Sequence, residues 1–328
     1  QAIINRAIAS LPEVGGAVML LEGNYDIRRE EGKLGGILIE RSNVTLTGVG
    51  AATKLIQAPN QNTNVIRIIG EGVSHVTIRD LYVDANRDAN PDGEGDPDVS
   101  HARFEFCGIK AYRTLPGGPS GQDCSHITVM NCQVMNARRL GIMLEGVHMR
   151  VQDNIIGNAT SDAVEILTGP GEIRGNYMEI TGRTHVAIGT DRAENIIISN
   201  NIVHVKEVGD ADIGIRVWAG YRRHLVTNNV ITLEKGGRLG TAMDIRGTGA
   251  VVSGNYVTGP DPESPLPLWI SGGNTIFTEN ILENVAVVVD DKTELYKRIL
   301  MRDNIFENTE LEFVKGNLVS EVAPFIQR

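Results

Sequence analysis

An asparagine returns at a nearly constant interval between residues 131 and 304. It stands in a short motif with apolar residues on either side, as in VQDNII, ISNNIV, VTNNVI and FTENIL. A landmark that recurs in this way is typical of a repeat protein in which each period is one coil of the chain. Asp80 in TIRDLYV is the candidate for the same place in an earlier coil. The motif asparagines, spaced by 23, 22, 25, 28, 26, 25 and 24 residues, are Asn131, Asn154, Asn176, Asn201, Asn229, Asn255, Asn280 and Asn304.

The stretches between the asparagines have the pattern of short strands. They are runs of β-branched and other apolar residues that alternate with polar ones and are divided by Gly, Asn or Asp. Such alternation indicates strands, and helical periodicity is almost absent. Stacked asparagine amides can form a hydrogen-bonded ladder, and asparagine tolerates left-handed backbone geometry at a turn. We therefore predict an all-β solenoid with parallel sheets; a β-sandwich would give no reason for one asparagine to persist.

Both ends of the chain are predicted to be capped. The segment QAIINRAIAS places Ile3, Ile4, Ala7 and Ile8 at helical spacing, so a short helix within residues 1–12 would cover the strand edges of the first coil. Residues 305–328 are the predicted C-terminal cap. We expect residues 1–328 to form a single domain.

The opening strands carry a family resemblance. GGAVMLLEGNYDI, followed by SNVTLTGVGAATKLI, resembles the entry of right-handed parallel β-helix proteins of the pectin-lyase-like group, which include phage tailspikes and polysaccharide depolymerases. The resemblance implies a right-handed single-stranded parallel β-helix that acts on carbohydrate. It does not specify the reaction, because this fold carries lyases, hydrolases, epimerases, fructotransferases and adhesins.

Composition excludes several classes of partner. The net charge of −10 argues against a nucleic acid or an anionic membrane surface. No apolar run approaches the roughly 20 residues of a membrane span. The three cysteines lack disulfide or zinc spacing and are expected to be buried apolar residues. The chain begins at Gln1 without a signal-like segment, so we take it for a trimmed or processed form, and extracellular or virion-associated localisation is inferred from the resemblance.

One strand can be aligned across seven coils, as GIKAY, GIMLE, AVEIL, AIGTD, GIRVW, AMDIR and PLWIS. Its second and fourth residues are apolar and are predicted to face the core, so its third and fifth residues face outward. This outward face carries both tryptophans, four carboxylates and three cations. The outward residues are Lys110, Met143, Glu165, Gly189, Arg216, Asp244 and Trp269 at the third position, and Tyr112, Glu145, Leu167, Asp191, Trp218, Arg246 and Ser271 at the fifth.

We interpret this face as the floor of a groove for an extended polysaccharide or oligosaccharide. Loops of very different length lead into the strand and would wall the groove on one side. Tryptophan can stack on sugar rings, while charged groups hold hydroxyls or carboxylates. A solvated face, or one covered by a partner, is the alternative. The candidate substrate-binding residues are Lys110, Tyr112, Arg216, Trp218, Arg246, Trp269 and His185.

Four carboxylates are the candidates for catalysis: Glu165, Asp191, Glu145 and Asp244. Strand geometry places Glu165 one coil and two residues from Asp191, roughly 8 Å between their backbones. That separation lies within the range of roughly 6.5 to 9.5 Å for the carboxyl pair of an inverting glycosidase. Glycoside hydrolysis is therefore the first prediction for the reaction.

A lyase or epimerase on a uronic-acid polymer is the second prediction. It would use Lys110, Tyr112, Arg216, Arg246 or His185 to neutralise the carboxylate and to move the proton. The segment LYVDANRDAN resembles mannuronan epimerases and several phage tailspikes, although the epimerase stretch Tyr-Gly-Phe-Asp-Pro-His has no counterpart here.

A second local resemblance points to inulin fructotransferases. VQDNIIGNATSDAVEILTG is similar to the region that carries their catalytic Asp and Glu, and it would place those roles on Asp153 and Glu165, with a spacing one residue longer. From a different class, a non-catalytic structural or adhesive β-helix would use the outward face for packing in a homotrimer.

No cofactor is predicted. In DANPDGEGDPD, residues 88, 90, 92 and 93 follow the start of a calcium-loop pattern, but Val99 stands where the closing Glu belongs. We expect a solvated acidic loop, with Ca²⁺ at residues 88–98 as the alternative. No His pair has metal-ligand spacing, and no metal site is predicted.

Overall fold

The computed structural model describes residues 1–33, 35–61, 63–90, 106–111, 124–290, 298–314, 318–322 and 326–327. The chain divides into two compact units, Gln1–Gly171 and Glu172–Arg328. In each unit, successive coils contribute one strand to each of three sheets. The prediction of a single domain over residues 1–328 stays a prediction.

The first unit begins with helix α1 (Ala2–Ala9) and has two 3-10 turns, Gly50–Ala52 and Arg87–Ala89. Its first sheet comprises β1 (Gly16–Met19), β4 (Val44–Thr47), β7 (Val73–Arg79), β10 (Cys124–Met130) and β13 (Met149–Gln152). Its second sheet comprises β2 (Gly23–Ile27), β5 (Thr53–Gln57), β8 (Tyr82–Asp84), β11 (Gln133–Met135) and β14 (Ile155–Gly157). Its third sheet comprises β3 (Gly35–Ile39), β6 (Asn64–Ile68), β9 (Ile109–Ala111), β12 (Ile142–Gly146) and β15 (Asp162–Thr168).

The second unit repeats this pattern. Its first sheet comprises β16 (Gly171–Arg174), β19 (Ile196–Ser199), β22 (Leu225–Thr227), β25 (Val251–Ser253), β28 (Thr275–Thr278), β31 (Arg298–Arg302) and β34 (Leu318–Val322). Its second sheet comprises β17 (Tyr177–Ile180), β20 (Ile202–Val205), β23 (Val230–Leu233), β26 (Tyr256–Thr258), β29 (Ile281–Glu283), β32 (Ile305–Glu307) and β35 (Ile326–Gln327). Its third sheet comprises β18 (Arg183–Asp191), β21 (Asp210–Val217), β24 (Arg238–Ile245), β27 (Leu266–Ile270), β30 (Val285–Val289) and β33 (Glu310–Phe313).

Strand pairing confirms the predicted parallel β-helix and its coil alignment. In the first unit, Lys110 pairs with Met143, and Met143 pairs with Glu165. In the second unit, Gly189, Arg216, Asp244 and Trp269 pair in that order along the third sheet. The predicted inward positions of these strands are buried in the apolar core. Residues at one strand position therefore form a column, with steps of about 4.8 Å from coil to coil.

Helix α1 covers a strand edge, as predicted. The helix residues Ile4 and Ile8 are buried. The Asn5 side chain accepts a hydrogen bond from the Leu38 backbone N–H at 3.0 Å and donates one to the Gly36 carbonyl at 3.0 Å, so it pairs directly with β3. Ile3 was expected on the apolar side but is 72% exposed, because one short helix turns only part of its surface inward. The C-terminal cap stays a prediction; β32 to β35 continue the sheets there.

A buried asparagine ladder joins consecutive coils of the second unit at the turn between the first and second sheets. The Asn229 backbone N–H and amide group both donate to the Asn255 side-chain oxygen, each at 3.0 Å. The same amide donates to the Ile198 carbonyl at 3.0 Å. Asn201 repeats this pattern towards Asn229, at 3.0 and 2.9 Å. The ladder residues Asn176, Asn201, Asn229, Asn255, Asn280 and Asn304 are all 2% exposed or less.

Two details of the predicted ladder are wrong. In the first unit Gln133 pairs with Ile155, so Cys132 rather than Asn131 is aligned with Asn154, and its backbone N–H donates to the Asn154 side-chain oxygen at 2.9 Å. The left-handed conformation belongs to the residue before each ladder position. Asn131 has φ 51° and Asp80 has φ 55°, so both occupy that preceding position instead.

The ladder makes a prediction for stability. Asn229→Ala would leave the Asn201 amide and the Ile198 carbonyl without their buried partners, so we expect the free energy of unfolding to fall by about 3 kcal/mol or more. Asn228→Gly, one residue earlier at φ 55°, is the control and should change it by less than about 1 kcal/mol. Urea unfolding followed by circular dichroism measures both. Equal effects of the two substitutions would contradict a structural role for the ladder.

His224 lies fully buried at the start of β22. Burial lowers the pKa of its imidazole to about 4 from the ordinary 6.5, because the charged form loses its hydration. Below about pH 6.5 the unfolded chain therefore binds a proton at this imidazole. The folded chain binds it only as the pH approaches 4. This contribution to stability is complete above pH 6.5 and is lost as the pH falls towards 4.

We expect about 2 kcal/mol of unfolding free energy to be lost through His224 between pH 7 and pH 5. His224→Gln removes the titrating group, so the difference in urea midpoint between those two pH values should shrink, whatever the absolute stability of the variant. An unchanged difference would show that His224 does not titrate as described.

Candidate functional site

The third sheet of the second unit presents a chemically rich outward face. Because β21, β24 and β27 are in register, Arg216, Asp244 and Trp269 form one outward column. Trp218 and Arg246 lie two residues further along their strands, on the same face. Five of the predicted site residues are therefore brought together on three consecutive coils.

Trp218 is flanked by two guanidinium groups. The Cζ atoms of Arg216 and Arg246 lie 5.1 and 5.0 Å from its ring centre, within the distance of a cation–π contact. Arg246 also makes a bidentate pair with Asp244, at 2.8 Å from Nε to Oδ1 and 2.6 Å from Nη2 to Oδ2. Its hydrogen bond to the Asp244 carboxylate raises the pKa of Arg246. The contacts hold both side chains in place on the face.

A cavity of about 560 Å³ opens beside this pair. It combines an indole face, hydroxyl groups and carboxylates, which is the mixture that fits a polar ring-shaped ligand. The residues that line it are Ile213, Ala219, Gly220, Thr241, Asp244, Arg246, Thr248, Trp269, Ser271 and Asp290.

Asp290 is a cavity residue that sequence reasoning missed. The alignment of the third-sheet strand across coils ended at residues 267–271 and left out the next coil. Ile270 pairs with Val289, so Asp290 follows in register beside Ser271. The run VAVVV is a strand by the same pattern, and extending the alignment to it would have placed Asp290 on this face.

The charged outward residues described in the first unit are buried, as Asp244 is in the second unit. Lys110, Glu145 and Glu165 are 0%, 3% and 4% exposed. On the same face Met143 and Leu167 pack in an apolar cluster with Cys107 and Leu140. Strand alternation alone cannot reveal such burial. Their catalytic and binding roles stay predictions.

His185 belongs to a charged network at the start of the third-sheet strands. Its Nδ1 lies 2.8 Å from Asp212, which also binds Arg183 and Arg238. Arg238 pairs with Asp210 as well. Hydrogen bonding to Arg183 is the main reason that the pKa of Asp212 lies well below its usual range. His185, one of the seven predicted binding residues, therefore lies in an ionic cluster with Asp212, Arg183 and Arg238.

Asp191 follows Thr190, which pairs with Val217, and so it is aligned with Trp218. It is partly buried near Tyr221, whose pKa is raised first by burial and then by the Asp191 charge. Tyr112 lies outside the described residues, and so do residues 91–98 of the predicted acidic calcium loop. Asp88 of that loop pairs with Arg87 at 3.4 Å.

A larger cavity, of about 720 Å³, lies in the first unit between α1 and β3. Two of its charged groups bind the helix and the segment that follows it. Arg41 donates to the Leu11 carbonyl at 2.8 Å and to the Pro12 carbonyl at 2.5 Å, and Glu30 accepts from Asn5 at 2.7 Å. We therefore place the candidate site on the second unit.

Sequence reasoning also missed a stack of three exposed imidazoles. The rings of His75 and His126 are 4.5 Å apart and nearly parallel, and His148 follows at 4.6 Å. Parallel rings direct their lone pairs side by side rather than towards a common point. Within the described residues, no group of three or more His, Cys, Asp or Glu side chains could hold a metal ion.

Comparison with known proteins assigns a family. Residues 39–236, more than half of the chain, match the model of a family described as periplasmic copper-binding protein (NosD). The chain belongs to the NosD family. No curated protein sequence matches it.

Several solved structures share the NosD-family chain's fold. The A-module of a mannuronan C-5 epimerase from Azotobacter vinelandii has 17% identity and a TM-score of 0.62, over 100% of this chain and 94% of that chain. DFA-IIIase from Arthrobacter chlorophenolicus has 15% identity and a TM-score of 0.60, over 98% and 81%. The tailspike protein of E. coli bacteriophage HK620 has 13% identity and a TM-score of 0.65, over 100% and 60%. These likenesses confirm the predicted resemblance to β-helix proteins at the level of the fold.

None of the described helices is both long enough and apolar enough to cross a bilayer.

Proposed function

We propose that this NosD-family chain binds an extended oligosaccharide or polysaccharide on the third sheet of its second unit and hydrolyses it there. The observation that carries the proposal is the cavity lined by Trp269, Asp244, Arg246 and Asp290, with Trp218 held between two arginines beside it. A parallel sheet extends such a site from coil to coil, which suits a polymer better than a small molecule.

The lining matches the chemistry of a sugar. A pyranose ring offers apolar faces to an indole and equatorial hydroxyls to carboxylates and hydroxyl groups. Trp269 supplies the indole, and Thr241, Thr248 and Ser271 supply hydroxyls that donate or accept. Because the Asp244–Arg246 pair is already formed, these partners need little reorganisation when a ligand enters.

For hydrolysis we assign Asp244 the role of base and Asp290 that of acid. The Arg246 guanidinium stabilises the Asp244 carboxylate, which takes a proton from water as the water oxygen attacks the anomeric carbon. Asp290 gives a proton to the leaving glycosidic oxygen. Two coils and two residues separate their backbones by about 12 Å, and side chains that reach into one cavity leave room for the sugar and the water.

Two structural neighbours support a carbohydrate ligand. The tailspike was solved in complex with a pentasaccharide, and DFA-IIIase in complex with DFA-III. An extracellular or periplasmic location agrees with such a ligand and with the description of the family. A lyase reaction stays an alternative that the products distinguish from hydrolysis. A homotrimeric assembly and an epimerase reaction stay further alternatives.

Copper, which the family description names, does not fit the described residues. They contain no group of three or more candidate ligands. Cys107, Cys124 and Cys132 are buried, and burial raises the pKa of the Cys132 thiol to about 12, so it stays protonated at neutral pH. The stacked imidazoles do not converge on one ion. We therefore propose no copper-dependent reaction step for the described residues.

Incubation with a panel of polysaccharides tests the proposed reaction. Hydrolysis would release reducing ends without new ultraviolet absorbance, whereas a lyase would produce unsaturated uronates that absorb. Binding without either product would indicate an epimerase or a non-catalytic carbohydrate-binding protein. A protein that neither retains nor cleaves any polymer of the panel would contradict the proposal.

Trp269→Ala should weaken glycan binding by about 5- to 30-fold, because a stacked aromatic face contributes about 1 to 2 kcal/mol. Tyr256→Ala is the matched control, since Tyr256 is an exposed aromatic residue of β26 on the second sheet of the same unit. Titration calorimetry against the retained glycan measures both affinities, and thermal melts check the fold. Equal losses of glycan affinity in the two variants would show that the ligand does not bind on the third-sheet face.

A further inference from the structure

The charges of the cavity bear on which class of sugar it takes. Among the described residues that line it, Asp244, Arg246 and Asp290 are the ionisable ones, so the charge of the guanidinium is balanced by Asp244 and Asp290 adds a further carboxyl group. The whole chain carries a net charge of −10. A polyanion would therefore meet an acidic protein and a lining with no cation in excess of its carboxylates.

The cation of the lining is already engaged. Two hydrogen bonds join the Arg246 guanidinium to Asp244, and its face lies against Trp218. The fork geometry that recognises a carboxylate is thus satisfied within the protein. A uronate could form a bidentate pair with the Nε–Nη2 edge of Arg246 only by displacing Asp244, which is 4% exposed and would lose its partner.

Arg216 does not take the place of Arg246 as a partner for a uronate. Its guanidinium also lies over the Trp218 ring, and the residue is 8% exposed. Both arginines thus stabilise the indole and the Asp244 carboxylate. The remaining lining groups, Thr241, Thr248 and Ser271, are hydroxyls, which pair with sugar hydroxyls.

We infer that the site selects neutral sugar residues over uronic acids. This inference rests on the proposed function, because it names the substrate class of the same cavity. It favours a polymer of neutral hexoses and disfavours polyuronates, the substrates of the lyase and epimerase alternatives.

The test compares two sets of oligosaccharides of matched length by titration calorimetry at low ionic strength. The neutral set contains gluco-, manno- and galacto-oligosaccharides, and the anionic set contains oligogalacturonates and oligoalginates. The best neutral ligand should bind at least tenfold more tightly than the best uronate, and added salt should narrow the difference because it screens the repulsion.

A charge-adding variant provides the second measurement. Thr248→Lys places a cation on the cavity wall and should raise oligouronate affinity several-fold. Thr227→Lys adds the same charge on the first sheet of the same unit, in β22, and should leave it unchanged.

The outcomes separate the two claims. Oligouronates that bind the unmodified protein as tightly as neutral sugars would overturn the inference and leave the proposed function standing. An equal gain from both lysines would show that net charge, and not this cavity, controls recognition, which also overturns it. Failure of every oligosaccharide to bind would overturn the proposed function and the inference together.

Discussion

The fixed register between coils is the constraint on which the rest of the structure depends. In the second unit, four buried ladder asparagines each donate twice to the next ladder side chain and once to a carbonyl of the preceding coil: Asn201, Asn229, Asn255 and Asn280. Buried amides left without partners are costly, so a coil cannot slip without breaking the series. Because of this register, residues at equivalent positions of successive coils lie in columns. The outward column of Arg216, Asp244 and Trp269 is a direct consequence.

Much of this was accessible from the sequence, for an identifiable reason. Strand alternation and a repeated landmark are local signals, so they correctly predicted the parallel coils, the inward residues of the third sheet and the pairing of Asp244 with Trp269. The same signals failed at Asn131. There the motif slips by one residue, and only the strand pairing shows that Cys132 takes the ladder position.

Burial on the outward face was not accessible in this way. Alternation tells which side of a strand Glu165 leaves from, but not what packs over that side. In the first unit, Met143 and Leu167 join an apolar cluster, and Lys110, Glu145 and Glu165 are buried near it. In the second unit Asp244 and Arg216 are buried as well, but a cavity lined by Asp244, Arg246 and Trp269 opens on that face. The distinction depends on tertiary packing, as does the contribution of Asp290 from a coil that the alignment did not reach.

Hydroxyl-radical footprinting with and without saturating neutral oligosaccharide tests the central claim, that ligand lies on the third-sheet face of the second unit. The account predicts that bound sugar protects Trp218, Trp269 and Ile213 from oxidation, while Tyr256 and Ile281 on the second sheet react as before. Protection that falls on the second sheet or on the first unit, with the tryptophans unchanged, would contradict it.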